Sequence, residues 1–319
     1  MVKRRLSHLE MTDTVASKKL TGTAFAAQKA AEAKARIAVK NAEKKPPKAK
    51  QLSLELWPDG VRGVPNSVLR GALFGVSKVR ETHKKRTIIA SVDGQEIRYL
   101  GTRLNQNDLD LWEMLLHLAR LQPLDTRVEF TAHSLLKALG RRTDGREHEE
   151  LKEDLARLAA GLVEISWTAE RKTFAGTLIS HFARDEDTGR YVVIFNEKMS
   201  ELYGMGHTHI DWSQRQALGQ SPLAKWLHGF YSTHVQPFGY KVETLAKLSG
   251  STSALREFRR MLKVGLAKLV KVGVIQSWEI DEDDLVKVKK VHTPTQIRHI
   301  AKKTTTTKLA KITKKLSGG

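Results

Sequence analysis

The sequence predicts an α+β protein made of two tandem winged-helix units, each a helix-turn-helix closed by a β hairpin. It reads the units as an internal duplication and the flanking basic tails as disordered. Three observations carry that prediction. The order helix, short strand, short helix, turn, longer helix and hairpin occurs twice between residues 107 and 288. Leu155-Ala-Arg-Leu158 leads to Ser166-Trp167 at the same spacing by which Leu266-Ala-Lys-Leu269 leads to Ser277-Trp278. The charge is uneven: residues 1–50 hold 13 basic and 4 acidic groups, residues 286–319 hold 10 basic and none acidic, and residues 51–285 are nearly balanced at 32 against 31.

Taken in order, residues 1–50 form an Ala- and Lys-rich tail whose helical stretch has no broad apolar face, ended by Pro46-Pro47. Residues 51–57 stand apart as an extended patch. A hairpin around Asp93-Gly94 joins Thr87–Ala90 to Ile97–Leu100. Asn107 is expected to cap a helix reaching Arg120, with Leu109, Trp112, Leu116 and Ala119 on one face. Arg127–Phe130 is extended. Thr131 caps a short helix stopped by Gly140, a basic turn runs from Arg141 to Arg146, and a longer helix carries Leu151, Leu155 and Leu158. The strand Leu162–Trp167 and a hairpin around residues 185–189, returning through Tyr191–Phe195, close the first unit at residues 58–203. In the second unit, residues 204–290, Ser221 and Pro222 open a helix with Leu223, Trp226, Leu227, Phe230 and Tyr231 at helical spacing. Tyr240–Val242, a short helix ended by Gly250, capping hydroxyls at Ser251–Ser253, a long helix to Val272 and a hairpin turning at Asp281–Asp284 follow. Residues 291–319 repeat Lys and Thr with few apolar groups, a composition that cannot offset its own ordering entropy.

The last long helix segregates its side chains. Leu255, Phe258, Leu262, Leu266 and Leu269 share one face, while Arg256, Arg259, Arg260 and Lys263 occupy an arc about 100° wide, opposed by Glu257. Guanidinium groups on such an arc suit phosphate clamping and bidentate reading of guanine in a major groove, so these residues with Ser253 are the expected DNA-reading set. The equivalent helix of the first unit sets Arg146, Lys152 and Arg157 against five acids, which repels phosphate. Its unit is expected to touch DNA backbone from the turn (Arg141, Arg142, Arg146) and wing (Arg171, Lys172, Arg184, Arg190), or to serve self-association.

Several chemistries are weighed against this. The absence of cysteine excludes disulfides, thiol catalysis and thiolate zinc sites. No apolar run reaches membrane-span length, so the chain reads as soluble, without a membrane partner. Gly71–Lys78 has the glycines of a phosphate loop without its spacing, and no cofactor is expected. Gly204-Met-Gly206 carries almost no information, His148-Glu149-Glu150 lacks the second histidine of a zincin, and Asp283-Asp284 sits at a turn. His207-Thr-His209 could place two imidazoles on one strand face for a metal, with Tyr203 or Tyr231 as the nucleophile of a rolling-circle nickase.

Gln51-Leu-Ser-Leu54, Trp57-Pro-Asp59, Arg62, Pro65-Asn66 and Arg70-Gly-Ala-Leu-Phe74, continuing through both winged helices to about Lys289, resemble the TrfA-type plasmid replication initiators. The resemblance implies a non-enzymatic protein that binds direct repeats (iterons) in double-stranded origin DNA. It also implies single-stranded origin DNA, the host helicase and host initiator, and a homodimer as further partners, in a bacterial cytoplasm. It implies too that Gln51, Leu52, Leu54 and Leu56 dock on the sliding clamp, with Ser53 matching and Glu55 standing where the family has Phe. An edge strand is the other reading of that patch. A winged-helix transcriptional repressor and the nickase remain as alternative functions.

Overall fold

The computed structural model describes residues 58–120 and 127–291. The N-terminal tail, the patch holding Gln51, Leu52, Leu54 and Leu56, and residues 292–319 lie outside the described residues.

The first half opens with β1 (Val61–Pro65), α1 (Asn66–Leu69), β2 (Phe74–Gly75), β3 (Thr82–Ile89), β4 (Gln95–Thr102) and β5 (Leu104–Asn105). It continues through α2 (Gln106–Ala119), β6 (Arg127–Thr131), α3 (Ala132–Ala138), α4 (Gly145–Ala160), β7 (Leu162–Trp167), β8 (Lys172–Gly176), β9 (Ile179–Arg184) and β10 (Arg190–Phe195). Then come α5 (Met199–Gly204), β11 (His207–Asp211), α6 (Trp212–Ala217), α7 (Pro222–Ser232), β12 (Tyr240–Lys241), α8 (Val242–Leu248), α9 (Leu255–Lys271), β13 (Ile275–Ile280) and β14 (Leu285–Lys290).

The expected hairpin around Gly94 is present as β3 and β4, with Thr87 opposite Tyr99 and Ile89 opposite Ile97. The cap of α2 lies two residues earlier than expected. Asn105 accepts from the N–H groups of Asn107 and Asp108, and Asp108 returns the contact to the Asn105 N–H at 2.7 Å. Either asparagine could cap; the aspartate three residues after Asn105 selects it by closing a capping box. Thr131 does cap α3, accepting from the Ser134 N–H at 3.2 Å. Ser221 precedes α7 without a side-chain cap bond, and the helix starts on Pro222, whose fixed φ suits that position.

The two helix-turn-helix turns share one device. In the first, the Gly140 N–H bonds to Lys137 O at 3.0 Å and the Arg141 N–H to Leu136 O at 2.9 Å. In the second, Gly250 bonds to Lys247 O at 3.0 Å and Ser251 to Ala246 O at 3.1 Å. Each is a Schellman closure, which needs a left-handed residue after the helix, and Gly140 (φ +68) and Gly250 (φ +63) supply it.

The wing of the first half differs from the expectation that joins Leu162–Trp167 to Tyr191–Phe195. β7 pairs instead with β4 and β8 in the antiparallel sheet β3-β4-β7-β8, while β9 and β10 form the wing in the sheet β6-β10-β9. That order matches β12-β14-β13 in the second half, so β13 corresponds in sheet position to β9, not to β7. The shared Ser-Trp letters therefore relate strands with different partners. Val163, Ile165 and Trp167 offer an alternating apolar face, and such a face says nothing about which neighbour pairs with it.

Buried apolar side chains form one cluster from Val64 to Trp212 and another from Leu218 to Val286. In the second, α7 and α9 approach closely at Gly265, where a Cβ would lie 3.0 Å from Leu227 Cδ1. Between the clusters lies a buried ionic junction. Arg215, 0% exposed, donates to Asp110 at 2.5 Å, to Gln106 Oε1 at 3.1 Å and to Lys225 O at 3.2 Å, and Lys225 Nζ reaches the other oxygen of Asp110 at 2.5 Å. Glu113, also buried, lies 3.4 Å from Arg215 Nε.

Burial raises the Glu113 carboxyl from 4.5 to about 7, against the opposing pull of Arg215. A folded-state value above the unfolded one gives stability that is complete below the unfolded value and lost as pH rises through the folded value. Glu113→Gln is therefore expected to gain on the wild type by on the order of 1–3 kcal/mol between pH 5 and pH 8 in urea denaturation. Parallel stability curves for the two proteins would show that Glu113 does not titrate there.

Candidate nucleic-acid interface

The second unit builds its outward face on α9. Phe258, Leu262, Leu266 and Leu269 are 0% exposed and anchor the helix against α7 and α8. Leu255, expected on the same face, is 39% exposed, because it begins the first turn of α9. The hydroxyls of residues 251–253 do not cap the helix: its N-cap position is Ala254, without a side-chain bond. Ser253 is exposed, and its N–H bonds to Ser251 Oγ at 3.3 Å.

The four cations of the arc have different surroundings. Arg256 and Lys263 are exposed, with no acidic partner among the described residues. Arg260 is exposed and bonds to Glu257 one turn away, Nη2 to Oε1 at 2.6 Å, and that hydrogen bond raises its pKa further. Arg259 is half-buried and grips Asp284 with two nitrogens, the Nε bond being 3.0 Å. Asp284 holds the wing tip at φ +60, so the acidic turn of the β13–β14 hairpin is folded back on α9. That contact joins residues far apart in sequence, and the charge pattern of α9 alone did not reveal it.

In the first half the basic turn is largely neutralised from within. Arg141, expected at the DNA backbone, turns inward to Glu147 and Asp154, each at 2.7 Å, with Glu150 at 3.6 Å. Arg142 and Arg146 remain exposed beside Asp144 at 2.5 Å and Glu150 at 3.1 Å. On α4 the other basic residues are also paired, Lys152 with Glu149 and Arg157 with Asp154 and Asp108. Arg171 and Lys172 are exposed on the β7–β8 turn, Arg171 at φ +52, whereas Arg184 and Arg190 lie on the β9–β10 wing. All four are expected on one wing, and the extra hairpin separates them.

His207 and His209 lie on β11, which pairs with β1, and their ring centres are 5.4 Å apart. Among the described residues no group of three or more His, Cys, Asp or Glu is arranged to hold a metal. Tyr203 donates its hydroxyl to Gly63 O at 2.9 Å, Tyr231 is 0% exposed, and burial pushes both phenols up. No helix among the described residues is long and apolar enough to cross a membrane.

A contact missed from sequence links the first half to the second helix-turn-helix. Arg103, between β4 and β5, donates to Gly250 O at 2.8 Å, and the Val76 N–H donates to Ser249 O at 2.9 Å. The sequence signal at that point is Gly250 itself, since a glycine permits close approach of another group.

Fold and face together define a protein with two helix-turn-helix units, each closed by a β wing, whose second unit displays cations on its longest helix. A family model described as TrfA protein matches residues 17–290, and the chain belongs to that family. It is 29% identical over 295 residues to the plasmid replication initiator protein TrfA of Escherichia coli, spanning 88% of this chain and 75% of that protein. Among solved structures, domains 2 and 3 of RctB superpose with a TM-score of 0.50 at 13% identity, over 70% of this chain and 97% of that one. The Pi initiator protein in complex with iteron DNA gives 0.40 at 14% identity, over 64% of this chain and all (100%) of that one.

The Arg259–Asp284 clasp sets a competition between a carboxylate and any outside anion. Asp284→Ala is expected to tighten binding to a random-sequence duplex about 2- to 10-fold and to steepen its salt dependence by about one counterion. Unchanged binding with a lowered melting temperature would make the clasp purely structural.

Proposed function

We propose that this chain is a plasmid replication initiator that binds direct repeats in double-stranded origin DNA, mainly through α9, and acts as a binding protein without enzymatic activity. The observation that carries the reading is the outward cationic arc of α9, set on a glycine-closed helix-turn-helix turn in a member of the TrfA family. Groups on a packed helix are held in register for base edges, while phosphate contacts fix orientation. The matched order of β6, α3, α4, β9, β10 and β12, α8, α9, β13, β14 supports reading the two halves as a duplication. The first half contributes backbone contacts through Arg142, Arg146, Arg171 and Lys172, or self-association.

The nickase reading is disfavoured by the burial of Tyr231 and by the bond that ties the half-buried Tyr203 hydroxyl to Gly63 O, and family membership favours initiation over repression alone. Recruitment of the sliding clamp through Gln51, Leu52, Leu54 and Leu56, with the host helicase and initiator following, belongs to the same proposal, as does action in a bacterial cytoplasm. It rests on the match of Gln51-Leu-Ser-Leu54 to a clamp-docking peptide.

A minimal plasmid should replicate only when this gene is supplied, and replication without it overturns the reading. With divalent metal and supercoiled origin DNA no covalent protein–DNA adduct should form. Changing Arg256, Arg259 and Arg260 together to Ala should remove repeat-specific protection in footprinting, with at least about a tenfold loss for each base-reading arginine. Intact footprints would mean that α9 is not the reading helix.

A further inference from the structure

The stretch Gly71–Lys78, whose glycines resemble a phosphate loop without its spacing, has a different place in the folded chain. It leaves the first half, runs through β2 and lies along the turn between α8 and α9. Its attachment there is by backbone and side-chain hydrogen bonds. The Val76 N–H holds Ser249 O at 2.9 Å, Arg103 holds the next carbonyl, Gly250 O, at 2.8 Å, and Ser77 Oγ lies 3.3 Å from Thr252 Oγ1. The fit is close. A Cβ on Gly250 would lie 2.9 Å from the Arg103 guanidinium and 3.1 Å from Ala72 Cβ, besides demanding a left-handed backbone.

Beyond this anchorage the segment lines a cleft of about 430 Å³ together with residues 220–223 at the start of α7 and the first turns of α9. Lys78 and Val79 face Thr252, Ser253, Arg260 and Val264 across it, and no carboxylate lines it. The neighbouring cation, Arg80, is turned away, bonded to Asp108 at 2.5 Å and to Arg103 O at 2.9 Å. Lys78 is exposed and has no acidic partner among the described residues. Val79 and Val264, 62% and 49% exposed, give the cleft apolar walls suited to deoxyribose or a thymine methyl.

We propose that Ser77–Val79 is a third element of the DNA-reading surface, in which Lys78 contacts a phosphate beside the bases read by α9 and Arg103 is a positioning residue that sets the helix-turn-helix turn. This inference rests on the reading of α9 given under Proposed function. A lysine on a backbone-anchored segment neutralises phosphate without reading sequence, so it sets affinity and register. Arg103 touches no DNA: it acts through Gly250 on the angle at which α9 leaves the turn, and therefore on the discrimination between right and wrong bases.

The test uses the full chain and a duplex that the wild type selects from a random-sequence pool. Lys78→Ala should weaken binding about 3- to 10-fold and lower the slope of log K against log salt by about 0.9, with the selected consensus unchanged. Lys78→Arg should restore the slope. Arg103→Ala should reduce the ratio of selected to scrambled duplex affinity by tenfold or more while leaving the slope unchanged, and circular dichroism should show both variants folded. Arg256→Ala separates the two levels of inference. If it destroys selective binding while Lys78→Ala leaves affinity and slope untouched, the third element is refuted and the α9 reading stands. If Arg256→Ala also has no effect, or no consensus emerges, both fall together.

Discussion

A guanidinium sealed from water must be neutralised where it lies, and Arg215 imposes that demand at the centre of this molecule. Its position at 0% exposure is tenable because the Asp110 carboxylate of α2 pairs with it from the first half while the Lys225 carbonyl of α7 accepts from it in the second. Separating the halves would expose or orphan these charges, and breaking one partner of such a buried set commonly costs about 3–5 kcal/mol. The two helix-turn-helix units are therefore held at a defined offset. That offset allows Val76 and Arg103 to reach the turn before α9, contacts of a few ångströms that tolerate little relative movement.

Electrostatic compensation decides which helix is available for a polyanion. Both α4 and α9 carry basic residues, but on α4 Arg146, Lys152 and Arg157 are paired with carboxylates, and Arg141 beside it is enclosed by three. On α9 Glu257 and the distant Asp284 are the competing carboxylates among the described residues, which leaves Arg256 and Lys263 uncompensated by those residues. Exposed ion pairs contribute little to stability, so Arg146–Glu150 and Lys152–Glu149 matter less for holding the helix than for cancelling its field.

Local features of this fold were legible in the sequence and long-range pairings were not. Helical stripes such as Leu223, Trp226, Leu227 and Phe230, the stop at Gly250 and the hairpin at Gly94 follow from neighbours a few residues apart, and the structure contains each. The assignment of β7 failed because alternation defines a face without naming the partner strand. On the candidate site, the identity of the outward arc was readable from periodicity alone. The clasp of Arg259 by Asp284, the inward turn of Arg141 and the grip of Arg103 on Gly250 were not, since each joins elements whose proximity depends on the completed fold.

In the function proposed above, charge and position together let one chain combine general attraction with selective reading. Residues 51–285 are nearly neutral, whereas residues 1–50 and 286–319 carry almost the whole surplus of +20. Charge on the tails acts at a distance and is screened over about 8–10 Å at ordinary salt, so it raises encounter rates without choosing a sequence. On that proposal, selection falls to the few cations fixed by packing, where a misplacement of an ångström would change which base edge is met. On the same proposal a balanced core serves that division: if the whole surface were basic, nonspecific phosphate contacts would compete with the orientation in which α9 would face the groove.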